Sequence, residues 1–165
     1  MRVEDRHNLW KGFLAGAIGG LAGSLAMSRF HALIAPKPQS SSASGKEDST
    51  VLAAAAISRA VFHHELSAGQ RKLAAPGMHY GFGASMGSIY GMLVEALPPA
   101  YLGWGLPFGV AVWLGAHVIT VPALGLSEPV TQSAAAAEAA EFGGHLAYGA
   151  VVEGLRRVLR NRLLR

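Results

Sequence analysis

The chain contains no cysteine and few charged residues. The lack of cysteine excludes disulfides, thiolate zinc sites and cysteine nucleophiles. Asp, Glu, Lys and Arg make up only 15% of the residues, whereas a soluble domain carries about 25%. A Ser/His/Asp order and a phosphate-binding glycine loop are also missing, and His64-Glu65 lacks the second histidine of the zinc-protease motif. An enzyme is therefore the least supported class of function.

Glycine, by contrast, is abundant: 21 of the 165 residues are glycine, and 51% of the chain is hydrophobic. Membrane helices use glycine to bring their backbones close together, whereas in a soluble helix it only costs chain entropy. The net charge of +4 does not indicate nucleic-acid binding, because five of the fourteen basic residues lie in the last ten positions, next to an apolar segment. Such clusters contact lipid headgroups and set topology. We expect an integral protein of a bacterial cytoplasmic membrane.

Four long apolar segments predict a single all-α membrane domain over residues 1–165, a bundle of about four transmembrane helices. The first segment is expected to be a retained helix rather than a signal peptide, because its apolar run is long and Pro36 directly follows the small-residue site ending at Ala35. The predicted spans cover residues 10–35, 77–97, 104–124 and 134–155.

Residues 36–76 are predicted to form an extramembrane loop with one helix over 51–66, capped by Asp48 or Ser49. This helix is too short and too polar to cross a bilayer, so we expect it to be amphipathic and to lie at the membrane surface. The two termini carry eight Lys and Arg, and the loop carries five. The excess predicts that both termini are cytoplasmic.

The second and fourth spans share a sequence pattern that predicts a duplicated helical hairpin. Tyr90-Gly91 and Glu95 recur as Tyr148-Gly149 and Glu153, and the first and third spans align more weakly with Gly12 on Gly105. Spans two and four would then run parallel. The alternative is chance similarity between two glycine-rich apolar segments.

Small and ionisable residues recur at intervals of four in the second span and therefore share one helix face. They are His79, Gly83, Gly87, Gly91 and Glu95. Three glycines on one face predict close packing against another helix, and Gly149 is the matching glycine of the fourth span. The repeat sets Glu95 and Glu153 at one depth, and for Glu95 an anchor at the membrane surface is the favoured interpretation.

The fourth span places Glu138, Glu141 and His145 on one face, and the third span adds His117. A rise of ~1.5 Å per residue brings His117 level with Glu141 if Trp104 lies at the depth of Glu95. We therefore predict that His117, Glu141 and His145 lie within reach of one another, with His79 and Glu138 one turn outward. On the first span, Arg29 and His31 are expected in the same outer zone.

Ionisable residues inside a membrane mark a functional site by default, and a structural hydrogen-bond network is the alternative. Histidine and carboxylate could bind a divalent metal, relay protons or ligate haem, so the cofactor stays unknown. The first hypothesis is a bundle that binds an ion, a proton or a small cofactor. The second is an assembly protein that packs with itself or a partner complex through its glycine faces, with structural histidines. Lipid and a homo-oligomer are the expected partners, and nucleic acid is not.

A set of short motifs resembles the YagU-like inner-membrane family. The motifs are Lys46-Glu47-Asp48-Ser49-Thr50, His79-Tyr80-Gly81-Phe82-Gly83, Trp113-Leu114 with His117, Gly125-Leu126-Ser127, and Glu141-Phe142-Gly143-Gly144-His145-Leu146. The resemblance implies a small multi-span inner-membrane protein without an established activity and with a suggested link to acid tolerance. It implies no catalytic residues.

Overall fold

The structure is a computed structural model that describes residues 3–34, 49–97 and 103–163, with side chains from residue 8 onward. Within these ranges every regular element is helical, which confirms the all-α prediction. The elements are α1 (Val3–Ile34), α2 (Ser49–Phe62), α3 (Ala68–Ala96), α4 (Leu106–Val112), a π-helical segment (Trp113–Thr120), α5 (Val121–Ala123), a 3₁₀ turn (Val130–Gln132) and α6 (Ala135–Arg162).

Helices α1 and α3 run antiparallel, and their backbones touch at three pairs of glycines. A Cβ atom added to any of the three α1 glycines would overlap the carbonyl oxygen of its partner on α3. The pairs are Gly12 with Gly91, Gly16 with Gly87, and Gly20 with Gly83. Glycine therefore permits this close approach, because any side chain on the shared face would push the helices apart.

Helices α4 and α6 pack in the same antiparallel way. A Cβ atom on Gly105 would overlap the carbonyl oxygen of Gly149, and one on Gly109 would overlap that of His145. Gly105 also has a left-handed backbone, with φ of 78°. Under the alignment of the repeat, the Gly105–Gly149 contact corresponds to Gly12–Gly91, so aligned positions of the two halves make the same contact.

The centre of the bundle is filled by aromatic rings. Tyr90 of α3 stacks on Phe108 of α4 with ring centroids 4.3 Å apart, and Phe108 also contacts Tyr148 of α6. The Tyr148 hydroxyl donates a hydrogen bond to the Gly83 carbonyl at 2.6 Å. Helix α1 packs on α6 where Gly19 meets the Val152 backbone. The space between the two helix pairs is therefore a packed core.

Several observed helix ends differ from the predicted ones. Helix α2 ends at Phe62 rather than residue 66, and the next residue, His63, has a left-handed φ of 51°. Helix α3 begins at Ala68 rather than residue 77, because Ser67 forms a capping box with Gln70. Pro76 thus lies inside a helix. Pro36, predicted to follow the first span, and Asp48, predicted as a possible cap of α2, lie outside the described residues.

Two described helices are long and apolar enough to cross a membrane, Asn8–Ile34 and the continuous helical stretch Leu106–Ala123. Only 6% of the second one is buried inside the protein. Helices α3 and α6 are less apolar because glycine, serine, tyrosine and ionisable residues occur along them.

Candidate functional site

Ionisable side chains collect at the two ends of the bundle. The histidine end contains His31, His79, His117, His145, Glu138 and Glu141. The arginine end contains Glu95, Glu153, Arg156, Arg157 and Arg160. The glycine contacts separate these ends, since Gly91 and Gly149 lie one turn from the glutamates of the arginine end.

At the histidine end, the π segment is joined to the first turn of α6 by a histidine–carboxylate pair. The Nε2 atom of His117 lies 3.0 Å from Oε2 of Glu138, and both side chains are half-buried. The sequence predicted that Glu141 lies at the depth of His117 and that Glu138 lies one turn outward. This prediction is wrong, because the carboxylate that contacts His117 is that of Glu138. The assumed depth of Trp104 does not account for this difference, because a Cβ atom on Gly105 would meet both the carbonyl oxygen of Gly149 and the Cβ atom of Glu153.

A second histidine–carboxylate pair joins α1 to α6. His31 Nε2 lies 3.7 Å from Oε2 of Glu141 and 3.2 Å from the carbonyl oxygen of Ala140. Gly144 leaves room for the imidazole, since a Cβ atom there would meet the His31 ring. The prediction that His117 or His145 is the partner of the Glu141 carboxylate is therefore wrong, because α1 supplies His31 at that depth.

His145 is buried between the two pairs. Its Nδ1–H donates to the main-chain carbonyl of Glu141 at 2.8 Å, one helical turn back, and not to the carboxylate. Its ring centroid lies 6.2 Å from that of His117. His145 thus lies near both pairs and adds a third imidazole between helices that carry carboxylates.

His79 belongs to a separate part of the histidine end. Its Nε2 lies 3.1 Å from both the carbonyl oxygen of Ser24 and the hydroxyl of Ser28, so the side chain binds α1 rather than α6. An open pocket of about 430 Å³ lies beside His79. It is lined by residues of α1, α2 and α3, namely Ser28, His31, Thr50, Ala75, Pro76, His79 and Tyr80. The predicted grouping of His79 with His117 stays a prediction, since the hydrogen bonds of His79 are made with α1. Arg29 is exposed on α1.

The donor atoms of the histidine end are arranged in pairs. Among the described residues, no three His, Asp or Glu side chains converge closely enough to hold a metal ion. A histidine nitrogen opposite a carboxylate oxygen can instead share or exchange a proton.

At the arginine end, the two glutamates that align in the repeat are each held by guanidinium groups. Glu153 is fully buried. It accepts two hydrogen bonds from Arg156, at 2.7 and 3.0 Å, and another from Arg157. Glu95 accepts two from Arg160, at 2.6 and 3.0 Å, which raises the pKa of that guanidinium. The i, i+3 and i, i+4 spacing of Arg156 and Arg157 from Glu153 indicates these two partners in the sequence itself.

The family of this chain follows from a comparison with models of known protein families. A family model described as "Protein of unknown function (DUF1440)" matches residues 48–154. The chain belongs to this family. It is the YagU-like family that the short motifs resemble. The matched range includes α2, α3 and α4, the π segment and most of α6, but not α1 with His31. No curated protein and no solved structure matches the chain.

Proposed function

We propose that the protein is a four-span membrane bundle. Helix α1 is apolar and long enough to cross a bilayer, and α3 follows it from the Gly12–Gly91 contact to the Ser24–His79 contact. These twelve residues rise ~18 Å. If α1 crosses the membrane, then α3 shares its depth. The same argument applies to α6, which packs along both α1 and α4.

We infer that the bundle responds to protons through its histidine–carboxylate pairs. The proposal rests on the observation that each pair joins two helical elements. His31 of α1 contacts Glu141 of α6, and His117 of the π segment contacts Glu138 of α6. Protonation of the histidine converts a contact between a neutral imidazole and a carboxylate into an ion pair and strengthens the attachment of the helices. Mild acid would then tighten the histidine end. The suggested acid-tolerance link of the family agrees with this direction.

The test is the pH dependence of thermal stability in detergent. We expect acidification from about pH 7.5 to about pH 6, the range in which histidine titrates, to raise the Tm of the wild type. Replacing both carboxylates (Glu138→Gln with Glu141→Gln) should remove most of this rise, because an amide keeps the shape but not the charge. Each pair is expected to contribute about 2–4 °C, the shift given by about 1 kcal/mol in a chain of this length.

The matched control is Glu65→Gln, which removes an exposed carboxylate that contacts Arg59 and Arg71 instead of a histidine. This variant should keep the full pH dependence. Unchanged pH dependence in the double variant would contradict proton sensing by the pairs, because the rise in Tm would then come from other groups of the protein.

Lateral assembly is a second candidate function, favoured by the exposure of the Leu106–Ala123 stretch. Only 6% of this apolar stretch is buried, and a Cβ atom on Gly115 would meet nothing. Such a surface contacts either lipid or another protein. Native mass spectrometry in mild detergent distinguishes the two, since an assembly protein would be an oligomer that Gly115→Leu disrupts.

A further inference from the structure

The turn that leads into α4 holds a tryptophan in an unusual backbone conformation. Trp104 has φ of 56°, and its neighbours Gly103 and Gly105 have φ of 81° and 78°. Glycine adopts this left-handed region freely, but for a bulky residue it is an outlier. Such strain persists where the surrounding structure enforces it, and it is frequent at binding sites.

The strained tryptophan is also exposed and lies against an arginine. The Trp104 side chain is 65% exposed, and the guanidinium carbon of Arg157 lies 4.4 Å from its ring centroid. Stacking of this kind orients a guanidinium against the ring. The turn therefore presents an indole and a cation together at the arginine end.

The arginine end carries an excess of positive charge. Among the described residues of this end, the two carboxylates Glu95 and Glu153 are outnumbered by four arginines, namely Arg156, Arg157, Arg160 and the exposed Arg162. Glu153 accepts a hydrogen bond from Nε of Arg157, and Glu95 accepts hydrogen bonds from Nε and Nη2 of Arg160, which fixes the orientation of both side chains. A guanidinium has five N–H donors in a rigid fork, which suits the oxygen atoms of a phosphate.

We propose that Trp104, Arg157 and Arg160 form a headgroup site for an anionic phospholipid. The guanidinium groups bind the phosphate and the anionic headgroup, and the indole lies at the boundary between headgroups and acyl chains. The site rests on the proposed membrane placement, which puts the arginine end at the bilayer surface. It is independent of the histidine pairs at the other end.

The test compares lipid retention by purified, delipidated protein in detergent. Phosphatidylglycerol or phosphatidylcholine is added, and bound lipid is counted by native mass spectrometry. We expect phosphatidylglycerol to be retained in preference to phosphatidylcholine and to raise the Tm. Arg157→Gln should weaken its binding about fivefold, the effect of one basic residue near an anionic lipid. Lys72→Gln, which removes an exposed cation near the N-terminus of α3, is the control and should change nothing.

A second variant, Trp104→Gly, is needed because Arg157 also contacts the buried Glu153, so that Arg157→Gln could lose lipid binding through loss of folding. Glycine suits the left-handed backbone, so this variant should keep its Tm without lipid and still lose preference for phosphatidylglycerol. Equal retention of both lipids, or unchanged preference in both variants, would overturn the site. The same holds if inorganic phosphate alone raises the Tm as much as phosphatidylglycerol, since the ligand would then be a soluble anion. A protein that stays monodisperse without detergent would overturn the membrane placement and this site with it.

Discussion

Individual glycines differ sharply in what they do, even within one helix. On α3, Gly87 touches the α1 backbone, and an added Cβ would overlap the carbonyl oxygen of Gly16. Gly81, less than two turns away, has open space where its Cβ would be. The first is required by contact, whereas the second only lowers helix propensity. The composition alone cannot separate these two roles, but the spacing of four that includes Gly87 and omits Gly81 does.

This difference gives a matched pair of substitutions. Gly87→Ala should lower the free energy of unfolding by about 1–3 kcal/mol, because the helices must move apart. Gly81→Ala should leave it unchanged or raise it by up to about 1 kcal/mol through better helix propensity. Thermal unfolding in detergent measures both. If the two variants have the same stability, the α1–α3 contact does not depend on glycine.

The ionisable residues also differ in how far the sequence defines them. Their helix faces follow from spacing, since Glu138, Glu141 and His145 share one face of α6. Their partners do not follow, because the depth of one helix relative to another depends on contacts between backbones. Gly105 packs against both Gly149 and Glu153, and Gly109 packs against His145. In this register the carboxylate beside His117 is that of Glu138.

The helices themselves were largely predictable, and their irregularities were not. Apolar length and turn residues predict where α1, α3 and α6 lie, but Pro76 obscured the start of α3, which Ser67 caps. The π segment has no comparable sequence signal. It begins at Trp113, the position that aligns with Gly20 in the repeat. Trp113 packs edge-on against Phe142 at 5.0 Å, so α4 and α6 cannot continue their close glycine contact there.

The π segment should be the least stable part of the bundle. Its main-chain bonds follow the rarer i→i+5 pattern, and none of its residues is buried. The Thr120 hydroxyl also donates to the Gly115 carbonyl at 2.6 Å. We expect amide hydrogen exchange to be faster in Trp113–Thr120 than around Gly87 in α3, because local opening requires less free energy where few contacts are buried.

Hydrogen-exchange mass spectrometry in nanodiscs measures both segments in one sample, with α3 as the internal reference. Mild acid should slow exchange in the π segment selectively, since His117 is held more firmly by Glu138 when it is protonated. Equal protection of the two segments would mean that the π segment is as rigid as the glycine-packed core and does not move.

The bundle as a whole is polarised along its axis. Two antiparallel helix pairs meet through glycine, aromatic rings fill the centre, and the ionisable residues occupy opposite ends. Because α1 and α4 both start at the arginine end, the two pairs point the same way, as expected for a parallel repeat. The positive excess at one end predicts the orientation, with the arginine end in the cytoplasm.

The orientation can be tested with single cysteines, since the chain has none of its own and the unmodified protein is a label-free control. Arg162→Cys and Leu97→Cys lie at the arginine end, whereas Ser67→Cys and Ser133→Cys lie at the other end, all at exposed positions. In intact cells, a membrane-impermeant maleimide should label only the second pair, and in inverted vesicles only the first.

Four spans require this pattern, because α3 and α6 each start at one surface and end at the other. If Ser67→Cys and Arg162→Cys are labelled from the same side, α3 or α6 does not cross the membrane. If all four positions are labelled as expected but from the reversed sides, the four spans stand and only the prediction of cytoplasmic termini is wrong.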